Sequence, residues 1–353
     1  MFTIKVLTRT ITIVTIFMLI LSGVQPAFAA GNDNFVDATQ ITGLPFSVAA
    51  NTTGATFESN EPYPTCNYWG YPVKTVWFAY TPSSNVALTV KTSQSNITPL
   101  LGVYTGSSVD SLTQIGCQYF GNDFTFQPQA GQTYYFQLSG LFGDEGNISF
   151  TLDVTPPPQV QISYSPSDPS IFDNISFYPY INDPIGCCSN ILWTTNDGAT
   201  SDQYNFYHQF AADGDYTVNV TATTSDGRSG SASQIVHVRT KDVAITTFSI
   251  PQTARVNQTK TINVNIQNKR YSDYVQVTLI KGLPGGGEQV IGTLTIYVPA
   301  KAKQATIFKF SYTFTSDDAT VGKVTFKAIA NIVNGRDALP SDNTSIATTL
   351  VSK

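Results

Sequence analysis

The feature that most constrains this chain is a succession of short apolar and aromatic runs, most of them bounded by Gly, Pro, Asn or Ser. Thr75-Val-Trp-Phe-Ala-Tyr80, Val86-Ala-Leu-Thr-Val90, Leu100-Leu-Gly-Val-Tyr104, Tyr134-Tyr-Phe-Gln-Leu138 and Ile148-Ser-Phe-Thr-Leu-Asp-Val154 set the pattern. Similar runs follow at 159–164, 174–178, 191–193, 216–221 and 233–238. They continue at 242–246, 261–266, 274–280, 291–298, 307–314, 324–330 and 346–351. β-branched and aromatic residues in runs this short fit half-buried pleated surfaces, and almost no helix is expected. Many strands at this spacing predict an all-β chain of sandwiches or barrels.

The first thirty residues read as an export signal that is cleaved. Lys5 and Arg9 precede an apolar run at 11–24, and Ala27-Phe28-Ala29 supplies a small-x-small cleavage site. The run is short for a membrane span, and no basic stop-transfer cluster follows it. A secreted or extracellular protein without a membrane span after processing is therefore expected, with cell-surface association open. Thr155-Pro-Pro-Pro158 is a stiff hinge whose prolines offer no backbone donor. Arg239-Thr-Lys-Asp242 is a short polar joint. These marks divide the chain into a leader at 1–30 and three β-sandwich modules at 31–155, 156–240 and 241–353. The second and third are expected to be immunoglobulin-like.

Only 12% of the residues are charged, but the charge is uneven. Residues 31–155 carry −7, 156–240 carry −6 and 241–353 carry +6. Lysines on outward faces keep a β-domain soluble and blunt its edges; contact with an anionic surface is the other reading. The basic residues are scattered without interleaved aromatics, which argues against a nucleic-acid partner. Four cysteines in an exported chain suggest disulfides. Of three pairings, Cys66 with Cys117 and Cys187 with Cys188 is preferred; the neighbouring pair can instead be free thiols or bond another chain. Zinc is not expected, because no Cys-x-x-Cys is present.

Several motifs carry family resemblances. Asn32-Asp-Asn-Phe35, Ile41-Thr-Gly-Leu-Pro45, Asn51-Thr-Thr-Gly-Ala-Thr56, Val76-Trp-Phe78, Val103-Tyr-Thr-Gly106 and Ala130-Gly-Gln-Thr-Tyr-Tyr135 make residues 32–154 resemble the bacterial pre-peptidase C-terminal domain. That resemblance implies a β-sandwich accompanying exported enzymes, with collagen or calcium binding in some relatives. The Asp customary before the Val-Tyr-Thr-Gly strand is replaced here by Ile97-Thr-Pro-Leu100. Trp193-Thr-Thr-Asn-Asp-Gly198, His208-Gln-Phe210 and Gly214-Asp-Tyr-Thr-Val218 resemble the PKD domain, departing from Trp-x-Phe-Gly-Asp-Gly at two positions. Trp193 should plug the core, and Asp197-Gly198 should make a hairpin turn. Asp242-Val-Ala-Ile245, Asn263-Val-Asn-Ile-Gln-Asn268 and Leu339-Pro-Ser-Asp-Asn343 make the third module resemble the CARDB family of cell-adhesion-related domains.

No catalytic set is apparent. The two histidines, His208 and His237, lack a nucleophile at recognisable spacing; the first is expected to cap or pack on a strand, the second to lie on the surface. No phosphate-cradling loop is present, and Gly285 to Gly287 read as a hairpin tip. Asp144-Glu145 and Asp317-Asp318 read as solvated loop acids. The chain is expected not to be an enzyme, and no cofactor is implied apart from calcium. Calcium candidates are Asp33, Asp37 and Asp197, within a wider acidic set of Asp183, Asp202, Asp213 and Asp215. Ligand-contact candidates are Tyr68, Trp69 and Tyr71 in Tyr63-Pro-Thr-Cys-Asn-Tyr-Trp-Gly-Tyr71. They either stack on a ligand or roof the disulfide. The expected function is a secreted adhesion or scaffold protein contacting extracellular protein, matrix or polysaccharide. The alternative is a carbohydrate- or collagen-binding accessory of an exported enzyme system.

Overall fold

The computed structural model describes residues 31–186 and 188–353. The expected leader, and the Cys187 half of the neighbouring-cysteine bridge, lie outside them. The chain divides into two compact units, one ending at Thr155 and the other Pro156–Lys353. Both are built of strands, so the all-β sandwich expectation holds. No helix among the described residues is long and apolar enough to cross a membrane.

The first unit contains β1 (Thr39–Ile41), β2 (Phe46–Asn51), β3 (Thr75–Tyr80), β4 (Leu88–Lys91), β5 (Pro99–Thr105), β6 (Thr113–Tyr119), β7 (Phe124–Phe126), β8 (Tyr134–Gly140) and β9 (Asn147–Val154). A five-stranded sheet ordered β1-β3-β8-β5-β6 lies against a four-stranded sheet ordered β2-β9-β4-β7. Val76 and Phe78 of β3, Val103 of β5 and Phe136 of β8 meet Val90 of β4 and Phe150 of β9 in the core. β9 alternates buried and half-exposed positions, as a strand with one face on a core must. β3 is buried on both faces. Its second face carries Trp77 and Ala79, and Phe35 covers them, its ring 5.4 Å from that of Trp77. That cover explains an apolar run without alternation.

The second unit begins with β10 (Gln159–Ser165), β11 (Ile175–Asn182), β12 (Asn190–Thr195), β13 (Thr200–Ser201), β14 (Phe206–His208), β15 (Gly214–Thr223) and β16 (Ser229–Val238). The sheets β10-β11-β14 and β13-β12-β15-β16 enclose Trp193, which is fully buried. Its ring contacts Phe177 and Phe206, and its Nε1 donates to the Gln203 carbonyl at 3.1 Å.

The same unit continues with β17 (Val243–Ser249), β18 (Thr253–Arg255), β19 (Thr259–Asn268), β20 (Asp273–Gly282), β21 (Glu288–Val298), β22 (Thr306–Thr313), α1 (Ser316–Val321), β23 (Lys323–Ile332) and β24 (Thr344–Ser352). These form sheets β17-β19-β22 and β18-β24-β23-β20-β21 around Val264, Ile266, Val277, Phe308, Phe326 and their neighbours. Polar groups tie the two halves of this unit together. Asp213 accepts from the Thr240 amide and hydroxyl, from the Tyr271 hydroxyl at 2.9 Å and from Arg270 at 3.2 Å. Arg336 pairs with Asp173. Burial opposes charge on Asp213, but the bonds from Thr240 and Tyr271 outweigh it and hold this carboxyl below its ordinary range.

Candidate functional site: an exposed aromatic surface

Three segments of the first unit converge. The loop at 63–71 is pinned by a disulfide between Cys66 and Cys117 of β6, with Cα atoms 5.8 Å apart. Thr65 N donates to the Gln114 side chain at 3.0 Å, and Asn67 Nδ2 donates to the Tyr71 carbonyl at 3.0 Å. Beneath lies a small core of Cys66, Val73, Leu100 and Leu141. The second segment is the end of β6 with the turn after it, which carry Tyr119 and Phe120. The third is the short 3-10 turn Leu141–Gly143, where the Leu141 amide donates to the Thr98 carbonyl at 2.8 Å.

The side chains above this base form one aromatic cluster. Trp69 lies 5.5 Å from Phe142 and 6.2 Å from both Tyr68 and Tyr119, ring centre to ring centre. Tyr71 lies 5.3 Å from Phe142, and Phe120 lies 4.8 Å from Tyr119. They remain open to solvent: Tyr68 is 74% exposed, Trp69 50%, Tyr71 41%, Phe120 56% and Phe142 45%. The rings sit over the disulfide-pinned end, yet they are not buried by doing so. Contiguous exposed aromatics of this kind mark contact surfaces. Most of the rings meet at steep angles, 78° for Tyr68 with Trp69 and 86° for Trp69 with Tyr119. The surface is therefore corrugated rather than a flat rail.

Phe120 and Phe142 were not singled out from sequence. Both occupy the left-handed backbone region, with φ of 60° and 64°. A side chain there costs about 1 kcal/mol or more relative to glycine. Their sequence signal was an aromatic–Gly pair at a strand end, Phe120-Gly121 and Phe142-Gly143.

The calcium candidates do not come together as a site. Asp33 accepts from the Thr56 amide and hydroxyl, and Asp37 accepts from Asn34 Nδ2 at 3.2 Å. Asp183 makes a two-pronged pair with Arg228 at 2.7 and 2.9 Å. Asp202 accepts from Gln203, and Asp215 pairs with His237 and Arg239. Among the described residues, no group of three or more His, Cys, Asp or Glu could hold a metal ion.

Asp197 takes a different role. Its Oδ2 meets His208 Nε2 at 2.7 Å, and its Oδ1 accepts from the Thr195 hydroxyl. Burial opposes its charge, but the bonds from Thr195 and His208 prevail and keep the carboxyl below its usual range. An acid, a histidine and a hydroxyl in one group invite comparison with a catalytic triad. The order is wrong for one: histidine and hydroxyl share the carboxylate, so no ring nitrogen takes the hydroxyl proton. Thr195 Oγ1 also accepts from the Ala199 amide at 3.0 Å, closing the turn in which Gly198 has φ +95°. His208 stacks on Phe206 and meets Phe210 edge-on. This geometry clamps a hairpin to the neighbouring sheet, as expected for a packing histidine.

The buried tryptophan, the Asp-Gly hairpin and the clamped histidine now stand together. Residues 179–240 match the PKD domain family. The sandwich containing the PKD match is larger than the matched span, because β10 and the start of β11 precede it. No curated protein matches the chain. Among solved structures, the three N-terminal domains of the highly immunogenic outer capsid protein of bacteriophage RB49 align over 79% of this chain and 98% of theirs. Identity is 10% and the TM-score 0.37. A tetra-tandem repeat from the extending region of a large adhesion protein aligns over 79% and 74%, at 15% identity and TM-score 0.27. A putative β-galactosidase from Bacteroides fragilis aligns over 85% of this chain but 35% of its own, at 9% identity and TM-score 0.19.

Proposed function

We propose that this chain is an extracellular adhesion or scaffold protein that binds rather than catalyses, and that the aromatic surface of the first unit contacts a protein partner. The exposure of Tyr68, Trp69, Tyr71, Phe120 and Phe142 in one disulfide-braced cluster carries the reading. Tyr and Trp bring large contact area at small entropic cost and are enriched at interfaces. A disulfide and a PKD match fit an exported protein. The resemblances of 32–154 to pre-peptidase C-terminal domains and of 241–353 to CARDB domains fit the same setting. The carbohydrate-binding alternative keeps the exposure of these rings in its favour. Their steep mutual angles count against it, since successive sugar rings stack best on rings that share a plane.

Trp69 provides the test. Of three tryptophans, Trp77 and Trp193 are fully buried, so Trp69 dominates any change in emission at the surface. The chain and a Tyr68→Ala/Trp69→Ala variant are passed over immobilised purified matrix proteins and polysaccharides, with and without calcium. Retention by a protein surface, a blue shift of the wild-type emission and loss in the variant are expected. Retention by polysaccharide alone, or retention unchanged in the variant, would count against the proposal.

A further inference from the structure

The second unit contains a cleft that the aromatic surface does not explain. It lies between the β20–β21 hairpin and α1, holds about 620 Å³ and is walled by Leu283, Pro284, Ile291 and Val321. Small-molecule sites span roughly 300–1,000 Å³, with apolar walls and few polar groups. Lys281 and Asp318 are its buried polar groups, with Tyr312 bonded to both, and Gln289, Thr315, Asp317 and Thr320 complete the polar part of the lining. β20 alternates Val275, Val277, Leu279 and Lys281 onto its buried face, so the ordinary period of the strand places Lys281 inside, and Ile280 beside it is buried too.

Lys281 is 8% exposed and Asp318 3%. Lys281 Nζ donates to Asp318 Oδ1 at 2.5 Å and to the Tyr312 hydroxyl at 2.7 Å. The Tyr312 hydroxyl donates to Asp318 Oδ2 at 2.8 Å, which also accepts from the Thr315 amide at 2.9 Å. Both carboxylate oxygens and the phenol proton are thereby engaged. An ammonium has three N–H bonds, so one donor remains on Lys281. A buried ion pair is a poor device for stability, because apolar replacements often match it. Kept at the wall of a cleft, it reads as a recognition group.

We propose that this cleft binds a small, uncharged, largely apolar molecule with one acceptor oxygen, such as a ketone or ester, and that this oxygen accepts from Lys281 Nζ. An anion is disfavoured because Asp318 already neutralises Lys281 and Asp317 lies on the cleft wall. A cation is disfavoured beside Lys281 because the ammonium repels it and both Asp318 oxygens are taken.

The probes are acetophenone, ethylbenzene, benzoate and benzylammonium, titrated onto the full chain and followed by saturation-transfer NMR. Acetophenone should bind about tenfold tighter than ethylbenzene, the gain from a hydrogen bond to a charged donor, and tighter than either ion. Lys281→Met should reduce acetophenone to the level of ethylbenzene and leave ethylbenzene unchanged. Val321→Trp, at a half-exposed position, should fill the cleft and abolish both while the melting temperature holds. No acetophenone binding, binding that survives Val321→Trp, or tighter binding of benzoate or benzylammonium would overturn the proposal.

Discussion

The bridge between Cys66 and Cys117 sets the rigidity of the aromatic surface, and its removal gives the sharpest stability prediction. The two cysteines are 51 residues apart. Closing a loop of that length removes about 14 cal/mol/K from the unfolded chain, or about 4 kcal/mol at 25 °C in the chain-entropy picture. The first unit has roughly 125 described residues, so its unfolding entropy near 60 °C is about 0.26 kcal/mol/K at the usual per-residue value. A Cys66→Ala/Cys117→Ala variant should therefore melt about 15 °C lower in the transition of the first unit. Scanning calorimetry of the full chain separates this from the second unit, whose transition should not move. The aromatic surface should loosen with the bridge, so iodide quenching of Trp69 should rise below the melting range. A fall under about 5 °C, or an equal fall in both transitions, would show that the bridge does not brace the first unit in this way.

Phe142→Gly relieves a left-handed backbone while deleting one ring of the surface. Its melting temperature should be unchanged or higher, by up to about 1 kcal/mol of stability, while partner binding falls. A lower melting temperature would show that the strain argument is wrong. Asp213→Ala strips the Thr240, Tyr271 and Arg270 contacts and should destabilise the second unit by about 2–3 kcal/mol in urea unfolding. The carboxyls of Asp173, Asp197, Asp213 and Asp318 are all held below their ordinary range in the folded chain. A depressed native value means that their contribution is present above the unfolded value, near pH 4, and is lost as pH falls through the native values. Acid unfolding of the second unit should therefore set in only below about pH 4, and Asp213→Ala should flatten that slope. Trp193→Ala empties the centre of the sandwich that contains the PKD match and should cost about 3–5 kcal/mol by the same unfolding measurement.

Much of this fold is written in local pattern. β3, β5, β8 and β9 carry continuous or alternating apolar runs, and such runs name themselves. β6 does not, because Thr113-Gln-Ile-Gly-Cys-Gln-Tyr119 is an edge strand with little apolar content. The aromatic loop was legible from Tyr68, Trp69 and Tyr71. Its partners Tyr119, Phe120 and Phe142 were not, because only folding brings the ends of β6 and β8 beside Cys66. Asp317-Asp318 read as a solvated pair, and Asp318 corrects that reading. It is buried because it completes a capping box with Thr315 at the start of α1 and accepts Lys281. A lysine in a β-run reads as surface, which hid Lys281, although it falls in phase with the buried Val275, Val277 and Leu279. Asp197 and His208 are close in sequence, but their pairing depends on two different sheets meeting.

If the open cluster of rings is the face used for contact, a bound partner must cover it. Hydrogen exchange by mass spectrometry, on the chain alone and with a retained protein partner, measures this directly. Protection is predicted at 63–72, 119–122 and 141–143, with the remaining sandwich faces unchanged. Protection confined to other faces, with these three segments exchanging as before, would contradict it.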